Sequence, residues 1–104
     1  MILEHALLRV RPGEEQAFED AMREARPLIA ASPGFRGIEV RPALGTPGLY
    51  LLLVRWIDVA SHRDGFRRSD RYETWRNLLH GFYAPLPEIT YFADSIVDTP
   101  RSPE

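Results

Sequence analysis

The longest apolar run in the chain, from Gly48 to Trp56, constrains the fold most strongly. The turn-forming sequence Gly45-Thr46-Pro47-Gly48 precedes it and Asp58 follows it, which is typical of a bounded β-strand. It is too short to cross a bilayer as a helix, which takes about 20 apolar residues. Alternate side chains of a strand face opposite ways, so a continuous apolar run puts apolar side chains on both faces of the strand. We therefore predict a central strand that is covered on both sides.

The flanking sequence predicts three further strands and three helices. Strands are expected at residues 2–10, 35–41 and 88–97, and helices at 14–31, 58–62 and 71–82. Pro27 should bend or break the first long helix near residues 23–27, and Gly65 should interrupt the short one. In strand 35–41 the side chain of Phe35 is expected on the opposite face of the strand from Ile38. The charged residues of this strand mark it as a sheet edge.

Size and composition limit the chemistry that is available. The 104 residues suit one domain, expected at 1–97 and followed by a flexible tail at 98–104. Cysteine is absent and all 13 basic residues are arginine, which excludes thiolate chemistry and a lysine nucleophile. A net charge of -2 gives no electrostatic reason to expect nucleic acid or a membrane as partner. The N-terminal residues show no secretion signal, so we expect a cytoplasmic protein.

The order strand, helix, strand, strand, helix, strand predicts a ferredoxin-like α+β fold. Both long helices would then lie on one face of a four-stranded antiparallel sheet. The strands carry large apolar side chains on both faces, and leaving four or more of them in water would forgo roughly 6 to 12 kcal/mol. We therefore predict a homodimer that is joined through the open sheet face, although periodicity does not say which face meets the helices.

A spaced set of residues resembles the antibiotic biosynthesis monooxygenase (ABM) family across roughly residues 2–97. The set comprises Pro33-Gly34-Phe35, Leu51-Leu52-Leu53-Val54-Arg55-Trp56, Ala60-Ser61-His62, Gly65-Phe66-Arg67, Ser69, Trp75-Arg76 and Phe82. The resemblance implies a dimeric α/β barrel with a pocket between sheet and helices. Some members of this family oxidise small aromatic or quinol substrates with O2 and without a cofactor.

Other members of the family degrade haem, and the resemblance gives that activity little support. By alignment, the family's asparagine, tryptophan and axial histidine positions are occupied here by His5, Phe66 and Arg76. His80 lies one turn beyond Arg76 and could replace the axial ligand only if the helix shifted or rotated. Haem is therefore disfavoured as a cofactor. The spacing of the three histidines gives no metal signature.

Four residues are candidates for catalysis if the pocket exists. His5 or His62 would be the base, and Tyr72 and Arg76 would orient a substrate anion. Structural alternatives stand beside each of these roles: His5 at a sheet surface or dimer seam, His62 stabilising a helix end, and Arg76 in a salt bridge with Glu73 or Asp70. Substrate-binding walls are expected from a further set, which could equally be ordinary core: Trp56, Phe66, Trp75, Leu79, Phe82 and Tyr83.

The functional prediction is thus a cofactor-independent monooxygenase that acts on a small aromatic or quinol-type molecule. The alternative is a non-oxidative binding protein, isomerase or cyclase on the same dimeric fold. Haem binding ranks third.

Overall fold

The computed structural model describes residues 1–97, and the predicted tail at 98–104 lies outside them. Four strands form one antiparallel sheet in the order β2-β3-β1-β4: β1 (Ile2–Arg9), β2 (Phe35–Pro42), β3 (Leu49–Trp56) and β4 (Thr90–Phe92). Two helices, α1 (Glu15–Ala30) and α2 (Asp70–Leu79), contact each other, and a single π-helical turn occupies Ser61–Phe66. This order and topology confirm the ferredoxin-like prediction, with β2 at a sheet edge as expected.

The central strand β3 divides its side chains as the alternation predicts. Tyr50, Leu52, Val54 and Trp56 are buried, and the residues between them are half-buried or exposed. The helical layer covers the buried face, where the core cluster joins β3 and β1 to residues of α1 and α2. The other face of the sheet is open in the single chain. Along β1 the buried face carries Glu4 in addition to apolar residues, which places a carboxyl group inside the domain.

Helix α1 buries one side, formed by Phe18, Met22, Ala25 and Ile29, and runs through Pro27 without interruption. The predicted break is therefore wrong. Pro27 lies in the last turn, where its ring removes only one hydrogen bond, and its own carbonyl still accepts from the amide of Ala31 at 3.1 Å. Within residues 1–97 no helix is long and apolar enough to cross a membrane.

Strand β2 departs from the predicted alternation because it contains a bulge. Phe35 pairs with Trp56 and Gly37 pairs with Arg55, so Arg36 is an extra residue between two consecutive positions of β3. The bulge turns Phe35 to the helical side of the sheet, where its ring lies edge-on to Trp56 with centroids 5.8 Å apart. The prediction that Phe35 and Ile38 lie on opposite faces of the strand is therefore wrong.

Three element ends also differ from the prediction. β4 spans only three residues, which pair with Leu3, Glu4 and His5 of β1. α2 ends at Leu79, where Gly81 follows and Tyr83 turns away to bridge Val10. Gly65 lies inside the π-helical turn and does not interrupt it.

The turn between α1 and β2 depends on Gly34, which has a positive φ of +86° and whose carbonyl accepts from the amide of Ile57. A Cβ atom added there would lie 2.7 Å from the Cβ of Ser61, at the start of the π-helical turn. Gly13 has a φ of +84° but nothing within 4 Å of such a Cβ. An alanine would strain the backbone at both positions, but only at position 34 would its Cβ also clash with Ser61.

We expect Gly34→Ala to lower the free energy of unfolding by roughly 1 to 3 kcal/mol more than Gly13→Ala does. Chemical denaturation of the two variants and the wild type gives this difference directly. Equal losses in the two variants would show that the π-helical turn does not pack against Gly34 in solution.

Candidate active site

A cavity of about 390 Å³ lies between the inner face of the sheet and the segment that carries α2, a volume within the range of small-molecule sites. Strands β1 and β3 supply one wall, and the π-helical turn and α2 supply the opposite wall. The segment after α2 closes one end. The lining residues are Glu4, Leu8, Leu52, His62, Arg67, Tyr72, His80, Tyr83, Leu86, Pro87 and Ile89.

The π-helical turn aims His62 inward. Asp58 begins this segment, because its carboxylate accepts from the amide of Ser61 at 2.8 Å and from the Ser61 hydroxyl at 2.7 Å. The wider turn closes with the amide of Arg67 donating to the carbonyl of His62 at 3.0 Å, a spacing of five residues. His62 and Phe66, four residues apart, are both buried as a result.

Glu4 is the centre of a buried polar cluster and is only 3% exposed. Its Oε1 accepts from the indole Nε1 of Trp56 at 2.9 Å and lies 3.4 Å from Nε2 of His62. On the other side of the imidazole, Nδ1 lies 2.6 Å from the hydroxyl of Tyr91, which pairs with Glu4 across β1 and β4. Among the described residues both of these polar contacts of the carboxylate are made by Oε1, and Glu4 itself lines the cavity.

Burial sets the proton affinity of this pair. Burial raises the pKa of Glu4 to about 7, against smaller lowering effects of the Trp56 hydrogen bond and the charge of Arg67. Burial, and then the charge of Arg67, lowers the pKa of His62 to about 4. Near neutral pH His62 is therefore uncharged, and Glu4 exchanges a proton readily. A carboxyl group with these properties on a cavity wall suits general acid–base chemistry.

The remaining polar groups of the cavity surround Tyr72. The guanidinium of Arg67 lies 5.7 Å from the centroid of the Tyr72 ring, and the His80 ring packs edge-on against it at 6.1 Å. Burial, and then the charges of Arg76 and Arg67, lowers the pKa of His80. Burial and the neighbouring Tyr72 raise the pKa of Tyr83, so its phenol stays neutral. Among the described residues that line the cavity, Arg67 is thus the one cation.

The structure brings together three of the predicted site residues: His62, Tyr72 and Tyr83 line the cavity. His5 lies on the open face of the sheet, beside a different cleft of about 270 Å³, because β1 turns Glu4 and not His5 inward. Arg76 is exposed and does not line the cavity, since Trp75 and Leu79 form the buried side of α2. Neither His5 nor Arg76 lines this cavity.

Most of the predicted substrate-binding walls are core behind the cavity. Trp56, Phe66, Trp75 and Leu79 are buried, and Phe66 packs edge-on against Trp75 at 5.6 Å. Phe82 is half-buried and lies 6.0 Å from the ring of Phe18. None of these five lines the cavity, although Trp56 contributes the indole N–H to Glu4.

Four polar side chains of this cavity and its surroundings were not among the predicted site residues: Glu4, Arg67, His80 and Tyr91. Glu4 had a usable signal, because a carboxylate among Ile2, Ala6 and Leu8 on one strand face needs a partner if that face is buried. The π-helical turn that positions Arg67 left no such signal. Within residues 1–97 no group of three or more His, Cys, Asp or Glu side chains could hold a metal ion.

The raised pKa of Glu4 and the lowered pKa of His62 make the free energy of unfolding change with pH in opposite directions. Glu4 binds its proton more tightly when folded, so its contribution is lost as pH rises from about 4.5 through 7. His62 binds its proton less tightly when folded, so its contribution is lost as pH falls from 6.5 through about 4. In the shared window the two slopes oppose each other.

We expect Glu4→Gln to remove the loss of stability that Glu4 causes as the pH rises. Measured by chemical denaturation, the stability of this variant relative to wild type should rise by as much as about 3 kcal/mol between pH 4.5 and pH 8, at about 1.4 kcal/mol per pKa unit. Glu73→Gln, at an exposed position of α2, controls for the loss of one negative charge. A relative stability that stays level or falls with pH would contradict the raised pKa of Glu4.

Comparison with known proteins relates this chain to a protein family. Residues 1–78 match the family described as "Antibiotic biosynthesis monooxygenase". The chain is 40% identical over 94 residues to YczJ of Bacillus subtilis (strain 168), a protein described as uncharacterized, with 90% of this chain and 99% of YczJ covered.

Solved structures agree. A Bordetella bronchiseptica protein provisionally named an antibiotic biosynthesis monooxygenase superposes with a TM-score of 0.87 at 32% identity, over 91% of this chain and 97% of that one. SnoaB of Streptomyces nogalater, a cofactor-independent oxygenase, superposes with a TM-score of 0.81 at 16% identity, over 92% of this chain and 94% of SnoaB. At that identity SnoaB shows a shared fold alone. From the match over most of its length, the chain belongs to the antibiotic biosynthesis monooxygenase family.

Proposed function

We propose that this protein is a cofactor-independent monooxygenase that oxidises a small aromatic or quinol-type substrate with O2 in the cavity at Glu4. One observation carries the proposal. A buried carboxyl group with a pKa raised to about 7 lies on the wall of a cavity that two tyrosines and apolar side chains also line. Flat aromatic molecules suit such walls, and a phenol or an activated C–H group suits such a base.

The first step is proton transfer from the substrate to Oε2 of ionised Glu4. The substrate anion that results lies near Arg67, the cation of the cavity, and the Tyr72 hydroxyl can donate a hydrogen bond to its oxygen. Arg67 thereby takes the role that the sequence assigned to Arg76. His62 acts as a donor to Glu4 and not as the base, because it is a weak proton acceptor here.

The second step uses the electrons of the substrate itself. An electron-rich carbanion or phenolate reduces O2, and a C–O bond forms to give a peroxide anion, which takes the proton from Glu4 and becomes a hydroperoxide. At a methylene carbon, the ionised Glu4 then removes the remaining C–H proton while the O–O bond breaks, which leaves a ketone. The leaving hydroxide takes this second proton from Glu4, so one oxygen atom enters the product and the other leaves as water. The balance needs no external reductant.

We expect the wild type to consume O2 with at least one member of a panel of anthrones and hydroxyquinones, followed with an oxygen electrode. Glu4→Gln should lower kcat by about 100-fold or more, because it removes the base. Arg67→Gln should also lower activity, while the matched control Arg76→Gln should leave it within about twofold of wild type. A panel without any enzyme-dependent uptake, or full activity in Glu4→Gln, would refute the proposal.

A non-oxidative isomerase is the second candidate, because the raised pKa of Glu4 serves it as well as it serves the monooxygenase. A carboxyl group that titrates near 7 can take a proton from one carbon and return it to another without any oxidant. The same panel incubated under nitrogen separates the two functions. Conversion without O2 indicates an isomerase, and conversion that requires O2 indicates the monooxygenase.

We further propose that the working form is a homodimer joined through the open sheet face. That face presents aliphatic and aromatic side chains that the helices do not cover: Leu3, Leu7, Leu49, Leu51, Leu53 and Phe92. A charged cluster lies along one edge of it, where Glu39 contacts both Arg41 and Arg55. An apolar centre with a charged rim is the usual anatomy of a protein interface.

Sedimentation at micromolar concentration should show a dimer for the wild type. Leu51→Glu should give a monomer, because it places a carboxylate beside Leu7 at the middle of the open face. The control Leu44→Glu lies on the loop between β2 and β3, where the native side chain is 99% exposed, and should stay dimeric. A monomeric wild type would contradict the dimer and leave the cavity chemistry to be judged by oxygen uptake.

A further inference from the structure

The two ring nitrogens of His62 contact different groups, and this asymmetry has a chemical consequence. Nδ1 lies 2.6 Å from the hydroxyl of Tyr91, and Nε2 lies 3.4 Å from Oε1 of Glu4. An ionised carboxylate only accepts hydrogen bonds, so a neutral His62 is favourably placed beside it when Nε2 carries the hydrogen. Nδ1 is then an acceptor, and the Tyr91 hydroxyl must donate to it.

Tyr91 is suited to be that donor. It is half-buried on β4, its ring packs edge-on against His62 at 5.7 Å, and it is not among the residues that line the cavity. Burial and the charge of Glu4 raise the pKa of Tyr91, which keeps the hydroxyl protonated. The other charges that act on its hydroxyl are those of Arg67, Arg63 and Asp64.

We propose that Tyr91 is a positioning residue, which fixes His62 with its hydrogen on Nε2 and so directs substrate protons to Oε2 of Glu4. Two donors, the indole N–H of Trp56 and the imidazole N–H, then converge on Oε1. The less engaged Oε2 is the more basic oxygen, and Glu4 lines the cavity. The inference rests on the proposed function for its catalytic meaning, but the hydrogen-bond order is a property of the protein alone.

No bond changes in this step beyond the proton transfer already described. The substrate O–H or C–H bond breaks, the Oε2–H bond of Glu4 forms, and His62 and Tyr91 keep their hydrogens throughout. The His62 contact must tighten by a few tenths of an ångström to reach ordinary hydrogen-bond length. Binding of a ligand against Oε2 can provide that shift without any change in the order of donors.

Long-range ¹H–¹⁵N NMR of the imidazole rings tests the assignment without a substrate. At pH 8.5, where Glu4 is ionised, the wild type should show His62 with hydrogen on Nε2. In Tyr91→Phe this preference should be lost, and the titration midpoint of Glu4 should rise by about 1 pH unit, because one donor to the carboxylate is weakened. Tyr50→Phe is the matched control, since the Tyr50 hydroxyl donates to Glu19 at 2.6 Å, outside the cavity.

Hydrogen on Nδ1 of His62 in the wild type would overturn the inference, and so would a Tyr91→Phe variant that keeps both the tautomer and the Glu4 midpoint. The wild-type spectrum decides the first point even if Tyr91→Phe fails to fold. With an active substrate, the acidic limb of the kcat/KM profile of Tyr91→Phe should move up by the same 1 pH unit, with recovery at high pH. Absence of any substrate counts against the monooxygenase alone, because the NMR result still decides the role of Tyr91.

Discussion

The carboxyl group of Glu4, buried on the inner face of the sheet, is the constraint on which the rest of the site depends. Burying an ionised carboxylate is costly unless donors surround it. The structure places the Trp56 indole and the His62 imidazole against a single oxygen of this group. Burial raises the pKa of this group to about 7 even against the lowering effect of the Trp56 hydrogen bond, so near neutral pH both of its protonation states are populated.

The elements around Glu4 can be understood as the means of assembling this cluster. β3 ends at Trp56, so the indole that donates to Glu4 also caps the core. The chain then reverses at Asp58 into a π-helical turn, whose greater width brings His62 over the sheet. β4 is only three residues long, yet its central residue is Tyr91, the partner of His62. Short or irregular elements thus carry the polar contacts, while long regular elements carry the core.

Much of the fold followed from the sequence because regular patterns determine it. The double-sided apolar run at β3 gave a central strand, and the periodicity of α1 gave its buried side. The bulge at Arg36 and the π-helical turn were not predictable in this way, since each inserts one residue into a pattern without changing its composition. The predicted break at Pro27 failed because the position of a proline within its helix matters more than its presence.

The site was only partly predictable, because the sequence does not tell which face of β1 meets the helices. Glu4 and His5 are neighbours with opposite orientations, and alternation alone does not tell which face meets the helices. The choice of face decides whether the carboxylate or the imidazole lies in the cavity, and the structure selects the carboxylate. At α2 the sequence offered Arg76 as a candidate beside a salt-bridge alternative, and the structure brings Arg67, from the preceding loop, to the cavity. His62, Tyr72 and Tyr83, which the sequence analysis named, line this cavity.

The most direct test of the account is the titration of the Glu4 side chain, followed by the ¹³C shift of its carboxyl carbon in the wild-type protein. The account predicts a midpoint near 7. A midpoint at or below 4.5, the ordinary value of a glutamate, would contradict it, because the carboxylate would then be too weak a base for the chemistry proposed.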